Sequence, residues 1–414
     1  MKVRINYIFC LCVTLLYLTS SCIDSEKTLE IQAEEEESIM SANTVENPTI
    51  IQSEFTESVS SSFAYDKLSP QEQILYTRIK EALFAHEPYI EGGLGYYTTD
   101  QIHKVKRFVL IDYPEIFWQS GRGTAWSTDL DGINAITKYE FDYLMNQAQR
   151  KEMQIKIDIV VNEFLSGVNP GMSEYEKTLA VYEYLINNTA YNLSARDKNA
   201  KGISDDEVDS NQNISSVFID KKTVCAGYSK ATQYLLNKLG IFCAYVSGSA
   251  RGEGNNHAWN LVMMDGDYYF VDTTWGAPID EATGEQRISY NYFGLTTEEI
   301  SKTHTPNDDI SLPVCEATKY NYYVYNNLML TEYDGQAVEK ILRDAVANHE
   351  KRAYIRFPNL SVAEEARNKL FEDGKDIFII LSNIAADFQY LDDTSIAQSF
   401  NSDVNVLFIE FSYK

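Results

Sequence analysis

Hydrophobic residues recur every three or four positions through much of residues 63–170. The segment LSPQEQILYTRIKEAL places Ser69 as a helix cap, Pro70 at the first helical position and Glu72 where a capping box requires an acid. The segment TTDQIHKVKRFVLIDYP has the same periodicity, and residues 139–165 are also expected to be helical. The pattern therefore predicts a mostly helical region over residues 63–170.

Helical spacing continues after residue 170 and is interrupted by one polar stretch. Ser173 and Glu176 form a second capping box, whereas residues 195–216 are expected to be a loop. A further helix begins at Cys225, carries an apolar stripe and stops at Gly240. Cys225 is therefore expected at the amino end of a helix.

Strand-like segments follow this helix. IFCAYVSG is one, and NNHAWNLVMMDGDYYFVDTTW predicts two strands joined by a turn at Asp265 and Gly266. Over residues 313–414, strand-like segments, among them YNYYVYNNLML and DIFIIL, alternate with helix-like segments, as in a small α+β domain. The sequence thus predicts an α+β protein with a core domain over residues 171–312.

The first 21 residues have the layout of a secretory signal. Lys2 and Arg4 precede an apolar run, and small polar residues come before Cys22. LTSSC resembles a bacterial lipobox, which would make Cys22 a lipidated first residue, although ordinary cleavage near Ser21 is the alternative. Residues 22–62 are acidic and polar and predict a disordered tether. We expect an exported protein of the cell envelope, attached to a membrane surface through Cys22.

Charge and cysteine content narrow the possible partners and cofactors. The formal net charge of −26 at pH 7, without a basic patch, argues against binding to nucleic acid. Outside the signal and Cys22, the cysteines are Cys225, Cys243 and Cys315, an odd number without a CxxC motif. We therefore expect at least one free thiol and neither a disulfide framework nor a cysteine-rich metal site, and no cofactor is indicated.

Cys225 has the position of a nucleophile. Unpaired backbone N–H groups and the helix dipole favour an anion at a helix start, which is one way to stabilise a thiolate. The same N–H groups can face a developing oxyanion, and the backbone N–H of Cys225 is the candidate donor. The alternative for a lone cysteine is a small buried apolar residue.

The predicted hairpin brings a histidine and an aspartate together. If Asp265 and Gly266 form the turn, Trp259 lies opposite Asp272, and His257 is a diagonal neighbour of Asp272 on the same face. A shift of one residue in the turn would send the two side chains to opposite faces. The hypothesis of a His257–Asp272 pair therefore depends on this register.

The three side chains match the roles of a thiol enzyme. His257 can take the proton of the Cys225 thiol and later protonate a leaving amine, while Asp272 orients the imidazole ring. A metal site built from the same residues is a weaker interpretation, because their spacing matches no structural zinc pattern and no fourth ligand is evident.

Three blocks of sequence resemble the core of bacterial transglutaminase-like proteins: KTLAVYEYLINNTAYN, KKTVCAGYSKATQYLLNKLGI and NHAWNLVMMDGDYYFVDTTWGAP. The resemblance covers roughly residues 175–280. It implies a papain-like fold, with the cysteine on a helix packed against an antiparallel sheet, and places the catalytic residues at Cys225, His257 and Asp272. Many relatives have proline after the aspartate, where this chain has Thr273.

The expected activity is attack on an amide of a peptide or protein, including a cell-wall peptide, through a cysteine thioester. Transfer of the acyl group to water gives a peptidase, and transfer to an amine gives a transglutaminase. Tyr228, Trp259 and Trp275 are candidates to line the substrate cleft, although core packing is an equal alternative for each. The other functional hypothesis is a module that kept the fold, lost turnover and binds envelope peptides or glycans.

Overall fold

The computed structural model describes residues 62–414, apart from residues 131–132, 204, 253, 280–283 and 285. The expected signal segment, Cys22 and all but the last residue of the expected tether lie outside the described residues. No helix among the described residues combines the length and the apolar composition needed to cross a bilayer.

Most helices in the described part of the chain begin after a residue whose side chain caps them. The backbone N–H of Glu72 donates to the Ser69 hydroxyl, and Glu72 Oε2 accepts from the Ser69 backbone N–H at 3.0 Å, so this predicted capping box is confirmed. The box of Ser173 and Glu176 is confirmed in the same way. The helices are α1 (Pro70–Ala85), α2 (Thr99–Asp112), α3 (Gln147–Gly167), α4 (Glu174–Asn188), α5 (Leu193–Ala200), α6 (Asp206–Ser210), α7 (Ile214–Phe218), α8 (Cys225–Lys238), α9 (Thr297–Ile300), α10 (Tyr322–Tyr325), α11 (Gly335–Ala347), α12 (Leu360–Arg367) and α13 (Asp376–Asp387).

Within the residues that the structure describes, the strands form three antiparallel sheets and one short parallel pair. The central sheet has the order β10-β6-β7-β8-β9, the other two have the orders β1-β3-β2 and β11-β13-β12, and β4 pairs with β5. Helices and antiparallel sheets together confirm the predicted α+β class. The strands are β1 (Tyr89–Glu91), β2 (Gln119–Leu130), β3 (Ile133–Tyr143), β4 (Ala190–Tyr191), β5 (Lys222–Thr223), β6 (Cys243–Ala250), β7 (Gly254–Met264), β8 (Asp267–Val271), β9 (Phe293–Leu295), β10 (His304–Pro306), β11 (Arg352–Arg356), β12 (Leu391–Asn401) and β13 (Val406–Tyr413).

The helix predicted over residues 139–165 is wrong at its beginning. Residues up to Tyr143 belong to β3, and α3 starts only at Gln147, where Asn146 caps it. Tyr139 and Phe141, two positions apart, are both buried, which is the spacing of a strand that packs one face on a core. The region predicted to be mostly helical therefore also contains the hairpin of β2 and β3.

The loop predicted over residues 195–216 is also wrong, because short helices fill most of it. The side chains of Asn192, Asp205 and Asn213 accept backbone hydrogen bonds at the starts of α5, α6 and α7. The residues that made the segment polar thus include the caps of its helices.

Helix α8 lies against the central strands β6 and β7. The apolar stripe predicted for it is buried and consists of Tyr228, Ala231, Leu235, Leu236 and Leu239. Asn260 on β7 donates from Nδ2 to the backbone oxygen of Ser229 at 2.9 Å. A buried hydrogen bond therefore fixes the helix on the sheet.

The last 80 residues pack α11 and α13 on the sheet of β11, β13 and β12 around a separate apolar cluster. DIFIIL, strand-like in the predicted alternation, is the start of α13, and its apolar residues recur at helical spacing into the core. YNYYVYNNLML likewise contains the short helix α10, which Asn321 caps.

Candidate active site

Cys225 is the first residue of α8. The first backbone hydrogen bond of the helix runs from the N–H of Tyr228 to the oxygen of Val224 at 3.1 Å. The N–H groups of Cys225 and of the next two residues therefore have no acceptor within the helix. An anion beside the Cys225 sulfur faces these donors and the positive end of the helix dipole.

Close packing fixes the position of this helix start. The Thr223 hydroxyl donates to the backbone oxygen of Asn211 at 2.9 Å and lies 2.6 Å from the hydroxyl of Ser216. Gly227 packs closely against the Thr223 hydroxyl. A Cβ at residue 227 would lie 1.9 Å from Thr223 Oγ1. The first turn can occupy this place only because residue 227 has no side chain.

The hairpin joins the histidine and the aspartate as its register predicts. Asn260 pairs with Val271 in the expected register, after which Asp272 leaves β8 and donates its N–H to the Tyr292 oxygen at 2.9 Å. Nε2 of His257 lies 2.7 Å from Oδ2 of Asp272, and neither side chain is exposed to solvent.

The hydrogen bonds of Asp272 determine which nitrogen of His257 can act as a base. Its Oδ1 accepts from the Trp275 backbone N–H at 3.0 Å. An ionised carboxylate only accepts, so the proton between it and His257 belongs to Nε2 of the ring. Nδ1 of His257 has no nitrogen or oxygen partner among the described residues and is left for the thiol.

The buried charges stabilise one another. Burial would lower the pKa of His257, but the charge and hydrogen bond of Asp272 outweigh burial and raise that pKa. The hydrogen bond and charge of Cys225 add to the rise. Burial would likewise raise the pKa of Asp272, but the charge and hydrogen bond of His257 hold it well below its usual range. The pair therefore favours the imidazolium and the carboxylate.

A cleft of about 410 Å³ has Cys225 and His257 among its lining residues. The thiol is partly exposed and lies 3.8 Å from the backbone oxygen of Asn256. Polar side chains, among them Gln212 and Asn307, form much of the wall. A substrate carbonyl can reach the sulfur from this side.

The other two free cysteines do not resemble nucleophiles. Cys243 and Cys315 are both buried. Burial raises the pKa of Cys315 to about 11 and raises that of Cys243 as well. Cys225 is thus the only accessible thiol in the described part of the chain.

Comparison with known proteins agrees with this geometry. Residues 162–273, which contain Cys225, His257 and Asp272, match the model of the transglutaminase-like superfamily. The chain carries a transglutaminase-like core. The Kyphoscoliosis peptidases of Mus musculus and Homo sapiens are both 24% identical to it, over 167 and 172 residues. These segments are 37% and 38% of this chain and only 24% of each peptidase.

Among solved structures, a crystal structure of a TGase is similar at 18% identity, with a TM-score of 0.28. The similarity covers 40% of this chain and 46% of that one.

A second histidine contacts Asp272 and was missed in the sequence. Nε2 of His304, on the edge strand β10, lies 3.0 Å from Oδ2 of Asp272. Nδ1 of His304 lies 2.8 Å from the hydroxyl of Thr303. The only signal for His304 in the sequence is the polar strand-like segment THTP. No adjacent turn links this segment to another strand and so predicts where it pairs.

The cluster of His257, Asp272 and His304 has side-chain atoms that could ligate a metal, all within 4.8 Å of one another. The distances of 2.7 and 3.0 Å from Asp272 Oδ2 to the two imidazoles are, however, those of hydrogen bonds. Both Nε2 atoms then carry protons rather than free lone pairs. The arrangement fits a hydrogen-bonded cluster better than a metal centre.

Two of the three aromatic residues expected to contact substrate are buried in the core. Tyr228 is fully buried, with its hydroxyl donating to the Thr189 oxygen, and Trp259 is 1% exposed. Trp275 is partly buried and lines a different pocket, on the side of the molecule that includes Tyr191. Tyr228 and Trp259 therefore lack the exposed surface that a cleft wall requires, and this expectation is corrected.

Proposed function

We propose that this protein is an exported thiol enzyme that acts on amide bonds of peptides or proteins through a thioester on Cys225. The observation that carries the proposal is that the two ring nitrogens of His257 have different environments. One ring nitrogen is held by the buried carboxylate of Asp272, and the other is left toward the thiol at a helix start. Both Cys225 and His257 line one cleft, which a histidine with a purely structural role would not require.

The geometry supports a two-stage reaction. His257 Nδ1 takes the thiol proton, and the thiolate attacks the amide carbonyl to form a tetrahedral oxyanion. The free N–H groups of the first turn of α8 face the position of that oxyanion. Collapse breaks the C–N bond, His257 protonates the departing amine, and the acyl group stays on sulfur as a thioester.

The second stage removes the acyl group. Water or an amine attacks the thioester carbonyl while His257 takes its proton, and the thiol leaves with that proton. Water yields a carboxylic acid, and an amine yields a new amide. Both outcomes share the first stage, so hydrolysis and transamidation make the same demand on the cluster of Cys225, His257 and Asp272.

Alkylation of Cys225 tests the proposal without knowledge of the substrate. The full chain is treated with iodoacetamide at pH 7, and the labelled cysteine is identified by mass spectrometry. We expect Cys225 to react at least tenfold faster than a free cysteine peptide, and His257→Ala to abolish the difference. His349→Ala is the matched control, because that histidine is exposed and stacks on Tyr390, away from the cleft. Equal rates in wild type and His257→Ala would leave only the binding-module hypothesis.

The acceptor and the substrate class need a second experiment. Wild type and Cys225→Ala are incubated with peptides from cell-wall digests and with a fluorescent primary amine. Incorporation of the amine that needs Cys225 would establish transfer, and new carboxyl termini without incorporation would establish hydrolysis.

The location of the protein is part of the same proposal. A lipid on Cys22 would hold the core at a membrane surface while the acidic tether of residues 22–62 gives it reach. Cys22→Ser in a bacterial host should move the mature protein from the membrane fraction to the soluble exported fraction. An unchanged distribution would contradict the lipid anchor.

A further inference from the structure

We propose that the Cys225 cleft selects peptides through a carboxylate that binds Lys230. This inference rests on the proposed function, since it names the class of substrate that the same site accepts. It concerns a second pocket of about 280 Å³, here called the Lys230 pocket, whose wall includes Lys230, Gln119 and Ile111.

The Lys230 pocket is continuous with the cleft. The two cavities share the lining residues Arg107, Asp209, Gln212, Ala226, Tyr245 and Ser247. Ala226 follows Cys225 directly, and Lys230 is one helical turn beyond Ala226 on α8. A ligand at the sulfur can therefore extend into the Lys230 pocket without leaving the protein surface.

The spacing suits a short peptide. Lys230 is five positions after Cys225 on α8, a rise of about 7.5 Å along the helix axis and a rotation of about 140° around it. An extended peptide spans that distance in about two residues. A carboxylate two residues from the attacked amide can then lie against the Lys230 ammonium while the carbonyl lies at the sulfur.

Lys230 supplies a positive charge that the surrounding residues do not cancel. Arg107 pairs with Asp309, and Asp209 pairs with Arg122 at 3.0 Å, so these charges balance one another. Lys230 itself makes no hydrogen bond or ion pair with any residue that the structure describes. Burial lowers the pKa of Lys230 to about 8, so the ammonium is still the main form at neutral pH.

A second lysine lies close to the Lys230 pocket without lining it. Lys106 is 3% exposed, and its Nζ donates to the backbone oxygen of Gly121, which lines the pocket. The charge of Asp142 acts on Lys106, so Lys230 remains the lining cation that an entering anion meets without an acidic partner. Lys230 is half-buried, and an anion entering here gives its ammonium the electrostatic partner that it lacks among the described residues.

Carboxylate is the anion that fits best. Leu110, Ile111 and Ala226 make part of the wall apolar, which suits the stem of an acidic side chain. One ammonium matches the single charge of a carboxylate, whereas a phosphate dianion needs more donors. In a peptide substrate the carboxylate can be an Asp or Glu side chain or the carboxyl terminus, and the test separates these two sources.

The first test compares two alkylating reagents of similar size, anionic iodoacetyl-glycylglycine and its neutral carboxyl-terminal amide, in which the carboxyl group lies two residues from the carbon that the thiol attacks. The measured quantity is the ratio of their rates at Cys225 in the full chain at pH 7. We expect Lys230→Met to lower the ratio at least threefold and Lys230→Arg to retain it. The control is Lys238→Met, since Lys238 is on the same helix but exposed at its far end, 4.8 Å from the Tyr234 ring. An equal ratio in wild type and Lys230→Met would overturn the proposal.

The second test measures protection of Cys225 from iodoacetamide by synthetic glutamine hexapeptides. The peptides carry Glu or Gln two residues from the reactive glutamine, and each is made with a free or an amidated carboxyl terminus. We expect one of the two carboxylates to give half-protection at a concentration at least fivefold lower than its neutral counterpart, and Lys230→Met to remove that preference. Equal protection by all four peptides would also overturn the carboxylate site.

The two proposals fail in different ways. Slow alkylation of Cys225 that is indifferent to His257→Ala contradicts the thiol enzyme. Fast, His257-dependent alkylation with a reagent ratio that ignores Lys230 contradicts only the carboxylate site. If Lys230→Met fails to fold, the comparison is made with Lys230→Gln, which keeps a polar side chain in the pocket.

Discussion

Nε2 of His304 and Nε2 of His257 both contact Oδ2 of Asp272, at 3.0 and 2.7 Å. Of these two histidines, only His257 lines the cleft of Cys225, so His304 contacts Asp272 from outside the cleft. The Thr303 hydroxyl lies 2.8 Å from the other nitrogen of His304 and fixes its ring. Asp272 is thus oriented by a histidine that we expect never to meet substrate, which makes His304 a positioning residue.

Replacement of His304 should weaken the site without removing its chemistry. We expect His304→Leu to slow alkylation of Cys225 about tenfold, because Asp272 loses one of the donors that orient it toward His257. His304→Gln keeps an N–H donor and should recover most of the rate. Rates are compared at a temperature where all variants are folded by circular dichroism. If both variants are slowed equally, the hydrogen bond to Asp272 is not the reason.

The hydroxyls of Thr232 and Thr273 lie 2.9 Å apart and join α8 to the segment that carries Asp272. Thr232 also donates to the Tyr228 oxygen at 2.9 Å, so Thr273 donates the bond between them. Thr232→Val leaves the buried Thr273 hydroxyl without its acceptor and should lower the free energy of unfolding by about 1–3 kcal/mol. Thr273→Val should lower the free energy of unfolding by less, since the Thr232 hydroxyl still donates to the Tyr228 oxygen. Denaturant unfolding measures both, and the reverse order would contradict this assignment of donor and acceptor.

Gly227 is required by space rather than by backbone angle. A methyl group there would lie 1.9 Å from Thr223 Oγ1, which Asn211 and Ser216 hold in place. We expect Gly227→Ala to lower the free energy of unfolding by about 1–3 kcal/mol. Gly167→Ala, at the last residue of α3, is the matched control, because nothing lies within 4 Å of its Cβ position. Similar stability of the two variants would show that the helix start can shift.

The His257–Asp272 pair should make stability depend on pH. The pKa of Asp272 is lowered by folding, so its contribution is present above about pH 4 and is lost as the pH falls through the folded pKa. The pKa of His257 is raised, so its contribution is present below about pH 6.5 and is lost as the pH rises through the folded pKa. The difference in unfolding free energy between wild type and Asp272→Asn should therefore be largest between about pH 4 and 6.5. A difference that is constant from pH 4 to 9 would contradict the pairing.

The sequence predicted those parts of the fold that local chemistry determines. The capping boxes at Ser69 and Ser173 and the helix start at Cys225 each depend on a few adjacent residues. The two-residue turn set the register of β7 and β8, and with it the meeting of His257 and Asp272. These features could be predicted because no distant partner decides them.

The features that were missed depend on distant partners. His304 reaches Asp272 because β10 pairs with β6, with His304 opposite Ala250, and no short turn announces that pairing. The run DIFIIL was assigned wrongly because a short apolar run suits a buried strand and a buried helix equally. Tyr228 on α8 and Trp259 on β7 were proposed as cleft residues, although side-chain type alone does not reveal which face of a helix or strand other elements cover.

The short strand β10 also limits how a peptide can approach. It forms one edge of the central sheet, and its last residue, Pro306, has no N–H to offer an additional strand. A strand added along this edge would therefore lack one backbone hydrogen bond at position 306. Under the proposed function, we expect a peptide to bind across the mouth of the cleft over the start of α8, where side chains and unpaired helix N–H groups contact its backbone in place of a neighbouring strand.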